Sequence, residues 1–443
     1  MVILTLNCGS SSAKFQVYNW DAKEVLGRGM VERIGLPKSR IEISSLGKEE
    51  FEEIKECPNH DIAVDWIIKT ILNKEHGCLD EISQIKACGH RIVHGGNIFT
   101  KSVLITKKTI KQLESIASLA PLHTTAHIAG IKGALNALPK IPQALIMDTA
   151  WHQTMPQESY MYALPREWYT KYNVRRYGFH GTSFLYTAKR AAVLLGKKPE
   201  KTNLIICHIG NGASISCVKE GKAYDTSMGL TPLEGLIMGT RCGDIDPAVI
   251  AYMCENLKCS AKELDLILNK KSGVLGITGK YADRRDIQAG VDRGDKDCIL
   301  AQQMEAYRIK KYIGAYLAVL GNVDAIVFTA GVGEMNPDIR ELATSGLENF
   351  GIKLDKKKNA LSKIKWAETL ISHEESKTKI FVIPTDEELV MTEDTYALLN
   401  GTYDVHTNFT YSFQSKKYVN KERSAKQQIE LKKNPKLKAI LAM

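Results

Sequence analysis

Ile3-Leu-Thr-Leu-Asn-Cys-Gly-Ser-Ser-Ser-Ala-Lys-Phe-Gln-Val-Tyr18 runs an apolar segment into a Gly/Ser turn and leaves it with alternating residues, the pattern of a β-hairpin. The plan recurs in Leu204-Ile-Ile-Cys-His-Ile-Gly-Asn-Gly-Ala-Ser-Ile-Ser-Cys-Val-Lys219, with Gly9 falling on Gly210. Two such hairpins predict two similar domains facing each other. In turns of this kind glycine lets the backbone approach an anion, while Ser hydroxyls and N–H groups donate to phosphate oxygens. Lys14 adds a positive charge beside the first turn. A single Gly/Ser hairpin is most often only a turn, so the repetition is what points to phosphate. Neither Gly-x-x-x-x-Gly-Lys-Ser/Thr nor Gly-x-Gly-x-x-Gly occurs, which leaves Walker-type and dinucleotide-binding Rossmann units unsupported. A third glycine turn, Thr329-Ala-Gly-Val-Gly-Glu334, follows the apolar stretch Val323–Phe328 and precedes a helix predicted near Pro337. Strand, glycine turn and helix N-terminus together suit a nucleotide.

The chain around these turns has 443 residues, enough for two or three domains, and its 44% apolar and 25% charged content excludes disorder of the whole. No apolar run approaches the ~18 residues that span a bilayer, and the start lacks a basic, signal-like n-region, so a soluble, unsecreted, cytoplasmic protein is expected. Ten cysteines without a Cys-x-x-Cys pair signal reduced thiols rather than a zinc cage or a redox dithiol. The net charge of +10 is unevenly placed: residues 401–443 hold nine basic and three acidic side chains, hence +6 of it. That basic C-terminal extension, of no assigned role, is expected to be solvated and partly disordered, with a short helix over Lys421–Leu431. Its lysines lack interleaved aromatic platforms, which argues against nucleic acid.

Four polar, glycine-rich clusters occupy non-periodic stretches of the chain: Gly89–Gly96 with Arg91, Ala144–Pro156 with Asp148, Arg175–Ser183 with His180, and Asp225–Pro247 with Arg241. Taken singly, each has a structural explanation. Together, two arginines suited to fork-like contacts, a histidine able to donate to an equatorial oxygen and two phosphate-like turns fit phosphoryl transfer. Carboxylate or amide oxygens would supply the metal ligands, as Mg²⁺ prefers.

On the segments Asn7-Cys-Gly-Ser-Ser-Ser-Ala-Lys14, His90-Arg-Ile-Val-His-Gly-Gly96, Asp148–Pro156, Arg176–Ser183, His208–Ser214, Asp225–Pro247, Phe328–Glu334 and Ile383–Leu389, the sequence strongly resembles the acetate kinase family of the acetate and sugar kinase/Hsp70/actin superfamily. The resemblance covers about residues 2 to 400 and implies an α/β fold of two ribonuclease-H-like, actin-like ATPase domains with a nucleotide cleft between them. Domain I would comprise 1–149 plus 386–400, domain II 150–385, and 401–443 the extension.

The same resemblance implies transfer of the ATP γ-phosphoryl group to acetate. Arg91, Asp148, His180 and Arg241 would be catalytic, and Arg91, Val93, Leu122, His123, Phe179 and Pro232 would hold the acyl substrate. Ser10, Ser12, Lys14, His208, Gly210, Asn211, Gly212, Asp283, Arg285, Gly331 and Gly333 would bind ATP or ADP, and Asn7 and Glu387 would place Mg²⁺ or Mn²⁺. A homodimer is implied, and the stretch Cys298–Leu320, with apolar positions at helical spacing, is read from the sequence as a core helix or dimer surface. The nearest alternative is a propionate or butyrate kinase, and a more distant one a non-enzymatic actin- or Hsp70-like ATPase. Phe184 stands where the family commonly has His, Thr124-Thr125 where Asn-Pro is usual, Ala330 in place of a glycine and Asp386 in place of Asn.

Overall fold

The computed structural model describes residues 1–442, and for Pro121 and Leu122 the backbone alone. Two compact units emerge: Met1–Gln153 with Asp386–Ser412 and Lys417–Glu422, and Thr154–Thr385 with Phe413–Lys416 and the chain from Arg423 onward.

In the first unit, β1 (Val2–Cys8) and β2 (Ser12–Asn19) form the hairpin read from the sequence, with Asn7 opposite Lys14. Three antiparallel strands extend it on one side: β3 (Glu24–Glu32), β4 (Ser39–Ser45) and β5 (Phe51–Lys55). On the other side β6 (Ile85–Ile92) runs parallel to β1, and β7 (Val103–Leu104) follows in sequence at the edge. The strand β8 (Gln143–Met147) lies between them, parallel to β6, giving the order β5-β4-β3-β2-β1-β6-β8-β7.

The second unit repeats the scheme with β9 (Leu204–Ile209), β10 (Ala213–Lys219), β11 (Lys222–Thr226), β12 (Ala325–Thr329), β13 (Thr369–Leu370) and β14 (Lys379–Val382). Its order is β11-β10-β9-β12-β14-β13, so the hairpin repeat is the visible part of a repeated antiparallel-then-parallel sheet.

Strands β8, β9 and β12 are buried at every residue, as expected where helices cover both faces of parallel strands. In the first unit the helix His60–Ile71, capped by Asn59 Oδ1 accepting from the Ile62 N–H at 3.0 Å, contributes Val64, Trp66 and Ile67 to a core with Leu4, Leu6, Phe15 and Val17. Each such fully buried side chain contributes roughly 1.5–3 kcal/mol. The helix Pro121–Ala137 also approaches β1 closely, and a Cβ on Gly130 would sit 2.4 Å from Cys8 Sγ, so only glycine fits there. On the other face the helix Glu387–Leu399 sets Met391 against Ala144 and Ile146. In the second unit the long helix Lys296–Leu320 buries Cys298, Ala301, Ile309, Ile313 and Tyr316 and exposes Leu300, Met304, Tyr307 and Val319.

The extension is folded, contrary to the expectation of a partly disordered, solvated tail. Tyr411 and Phe413 are buried, the helix Lys421–Lys433 follows, and Leu437 and Ile440 pack with Ile364 and Trp366. Its few apolar anchors are spaced among lysines, so average composition hides them. Ile440→Ala, at a site with 0% exposure, is expected to cost about 2–5 kcal/mol in urea unfolding of the full chain. Wild-type stability in that variant would show the tail unanchored.

Candidate active site

Parallel strands end on the same side, and the first unit uses this to gather its polar residues. Arg91 sits one residue before the end of β6, and Asp148 immediately follows β8. The Arg91 Nε donates to Asp148 Oδ1 at 3.1 Å and Nη2 to Oδ2 at 2.7 Å, a two-point contact in which Asp148 is 1% exposed. Arg91 Nη1 also lies 3.8 Å from Glu387 Oε2 at the start of the helix Glu387–Leu399. Burial pushes the Glu387 carboxyl up to about 7; Arg91 and Lys14 oppose the shift, while Asp148 and Glu388 reinforce it. Burial works against the charge on Arg91 too, but Asp148 and Glu387 outweigh it and hold the guanidinium charged. Asn7 lies across the hairpin from Lys14, whose charge acts on Glu387.

The Gly9 N–H closes the first turn on the Ser12 carbonyl at 2.7 Å, leaving Ser10 exposed at its tip. His60 braces that turn, its Nε2–H donating to the Gly9 carbonyl at 2.7 Å. Nothing in the sequence marked His60, since a lone histidine opening a helix carries no motif. Val93 is buried, its N–H 3.5 Å from His127 Nδ1, and His123 is half-buried on the helix Pro121–Ala137. The Leu122 side chain lies outside the described residues. Thr124 Oγ1 is buried with no hydrogen-bond partner among them.

In the second unit His180 precedes the helix Gly181–Leu194 with φ of 57°, a left-handed conformation that costs a non-glycine residue about 1–2 kcal/mol. Its ring stacks on His208 with centroids 4.0 Å apart, and its Nδ1 pairs with Ser214 Oγ at 2.8 Å. His208 Nδ1 in turn pairs with Ser183 Oγ at 2.8 Å, and Phe184 presents its ring at 6.2 Å to His208. A Cβ on Gly212 would meet His180 Nε2 at 3.4 Å and Arg241 Nη1 at 3.6 Å, so these three residues converge.

Arg241 donates to the Pro232 carbonyl at 3.0 Å and contacts Met238 Sδ at 3.8 Å, and among the described residues no carboxylate pairs with it. Burial lowers its pKa, with no neighbouring charge to offset it. Phe179 and Pro232 beside these groups are buried. Arg176 holds the segment in place, giving Nη1 to the carbonyls of Thr226, Ser227 and Met228 and Nη2 to Glu234 Oε1 at 2.5 Å. The sequence had placed Arg176 in a cluster without assigning it this task.

A cavity of about 1090 Å³ in the second unit is walled by Gly210, Asn211, Asp283, Arg285 and Gly331. His208, Gly212 and Gly333 are not among its described lining residues; the Gly333 carbonyl instead accepts from the buried Arg340 at 2.8 Å. Asp283 caps the helix Arg284–Asp292 and pairs with Arg285 at 2.6 Å, which holds its carboxyl down at about 2. Asn336, Lys363 and Lys365 also line it, and the two lysines follow no glycine turn that would have marked them in the sequence. Ala330 adopts φ of 65°, the conformation that glycine would take without strain.

Residues 2–393 match the model of the acetokinase family. An acetate kinase of Treponema pallidum is 56% identical over 442 residues, covering 100% of this chain and 99% of its own, so likeness continues through the extension that motif reading left out. The crystal structure of a Porphyromonas gingivalis acetate kinase is 44% identical with a TM-score of 0.84, covering 90% of this chain and 99% of that one. That of a propionate kinase from Francisella tularensis is 39% identical, also with a TM-score of 0.84, covering 90% and 99%. The α/β architecture of two actin-like ATPase domains is therefore the fold of this chain. With a family match over nearly its whole length and more than half its residues shared with a full-length relative, the chain belongs to the acetokinase family.

Proposed function

We propose that the chain is a phosphotransferase catalysing ATP + acetate ⇌ ADP + acetyl phosphate by direct, in-line transfer. Arg241 carries this reading: a half-buried guanidinium without a carboxylate on it among the described residues, beside Gly212 and His180, suits a transferring phosphoryl group. A carboxylate oxygen of acetate forms the new P–O bond, the bond to the β-phosphate oxygen breaks, and ADP leaves with that electron pair. Arg91 binds the acetate carboxylate, and Asp148, gripping Arg91 at two points, orients it toward the acyl group. In the tautomer in which the Ser214 hydroxyl donates to Nδ1, the His180 proton sits on Nε2, where it can donate to an equatorial phosphoryl oxygen.

Ser10, Ser12 and Lys14, with His208, Gly210, Asn211 and Gly212, are assigned to the ATP phosphates. Asp283, Arg285, Gly331 and Gly333 are assigned to the adenosine side, and the first three are supported by the cavity that they wall together with Gly210 and Asn211. Val93, Leu122, His123, Phe179 and Pro232 would surround the acetyl group. Among the described residues no cluster of three His, Cys, Asp or Glu side chains could cage a metal ion. Oxygen donors such as Asn7 and Glu387 beside a phosphate site fit Mg²⁺, which is commonly held by one or two carboxylates plus substrate phosphates. Bound there, Mg²⁺ or Mn²⁺ would neutralise phosphate charge.

Arg91→Ala and Arg241→Ala are each expected to lower kcat about 10³-fold with folding intact, measured by trapping acyl phosphate with hydroxylamine. Wild-type turnover in either variant would overturn its role. Acetate is favoured over propionate by the 56% identity to an acetate kinase, although one methylene in an apolar pocket is worth only ~1–3 kcal/mol. The expected order of kcat/KM is acetate, propionate, butyrate, and a preference for a longer acid would reassign the substrate.

A homodimer is supported by the helix Ala248–Leu257, which buries no residue and exposes Val249, Ile250, Leu257 and, at 66%, Tyr252. Light scattering should give twice the chain mass, and Tyr252→Glu should lower it toward the monomer. Free cysteines and dependence on ATP support work in the cytoplasm, and among the described residues no helix is long and apolar enough to cross a membrane.

A further inference from the structure

The nine basic residues of the extension are not equivalent. All eight lysines are exposed, whereas the single arginine, Arg423, is half-buried and turned onto the protein. Its Nη1 donates to the Pro384 carbonyl at 2.9 Å and its Nη2 to the Thr385 carbonyl at 2.6 Å, with its guanidinium 6.0 Å from the Tyr186 ring. Those two carbonyls belong to the short loop that leads from β14 into the helix Glu387–Leu399. The Thr385 N–H is held as well, donating to Glu334 Oε1 at 3.3 Å.

One residue further on, Asp386 caps the helix by accepting from the Leu389 N–H at 3.2 Å through Oδ1. Its second oxygen, Oδ2, accepts from Asn420 Nδ2 at 3.0 Å. A carboxylate can serve both donors through separate oxygens, where an asparagine has a single acceptor oxygen. Within the helix, Tyr411 donates to Asp394 Oδ1 at 2.8 Å, and the Ser412 N–H and hydroxyl both donate to Glu393. The extension therefore grips the loop, the cap and the middle of one helix, and the first residue of that helix is Glu387.

We propose that residues 411–423 form an intramolecular strap that positions Glu387, with Asn420 and Arg423 as its positioning residues. The inference rests on the role given to Glu387 above. Where a helix begins decides where its first side chain points, and here the start is set by a cap and two carbonyls that the strap holds. Arginine is required for the grip because its planar fork meets two carbonyl oxygens at once, which the point charge of lysine does not. Likeness to a full-length relative runs over 442 residues and so takes in the strap as well.

The test uses full-length Asn420→Ala, Arg423→Ala and Arg423→Lys, with Glu387→Gln and the exposed Lys432→Ala as references. Both strap alanine variants are expected to lose about tenfold in kcat with KM for acetate held within about twofold, as misplacement of a positioned group predicts. Mn²⁺ binding in the presence of ADP, read by electron paramagnetic resonance, should weaken in parallel, Arg423→Lys should recover only part of both losses, and Lys432→Ala should match wild type. Wild-type kcat and Mn²⁺ binding in the alanine variants, with Glu387→Gln impaired, would overturn the strap. Losses that merely track a fall in Tm would overturn it too, because they would mark a folding contribution alone. Unimpaired Glu387→Gln would instead overturn the assignment of Glu387 on which the inference stands.

Discussion

The two-point ion pair between Arg91 and Asp148 is the contact on which the first unit's polar cluster depends. Taking a carboxylate to 1% exposure carries a desolvation penalty that a surface pair never meets, and its attraction to a guanidinium often does no more than offset it. A buried pair of this kind often adds little to net stability. It ties the ends of β6 and β8 to the start of the helix Glu387–Leu399 through Glu387. The parallel pairing of β1, β6 and β8 makes this possible, because it delivers side chains from three distant stretches of chain to one edge.

The second unit reaches a comparable result by different means. His180 sits in a left-handed conformation, stacked on His208 and hydrogen-bonded to Ser214, so its ring has little freedom. Strain of this sort persists only where the surroundings over-determine it, and the helix Gly181–Leu194 and the β9–β10 hairpin supply that determination. Among the described residues, the side chain of Arg241 donates to a carbonyl and a thioether rather than to a carboxylate.

The extension shows how composition misleads when a few residues do the structural work. Lysine dominates its charge and faces solvent, whereas Tyr411, Phe413, Arg423, Leu437 and Ile440 tie it to the rest of the chain. A window average registers the lysines and dilutes the anchors, so the segment reads as solvated although it is folded.

The repeated hairpins, the glycine turns and the polar clusters were legible because each depends on local chemistry: period-two alternation, backbone freedom at glycine, and the side-chain types that meet phosphate. Those features, with the family motifs they form, determined the α/β class, the duplication and the residues Arg91, Asp148, His180 and Arg241. Which of them touch was decided only by tertiary structure. No spacing announces that Arg91 grips Asp148, that His60 braces the Gly9 turn, that Lys363 and Lys365 wall the cavity, or that Arg423 holds the loop before Glu387. These contacts join residues far apart in the chain, and strand order and helix packing, which are properties of the whole fold, bring them within reach.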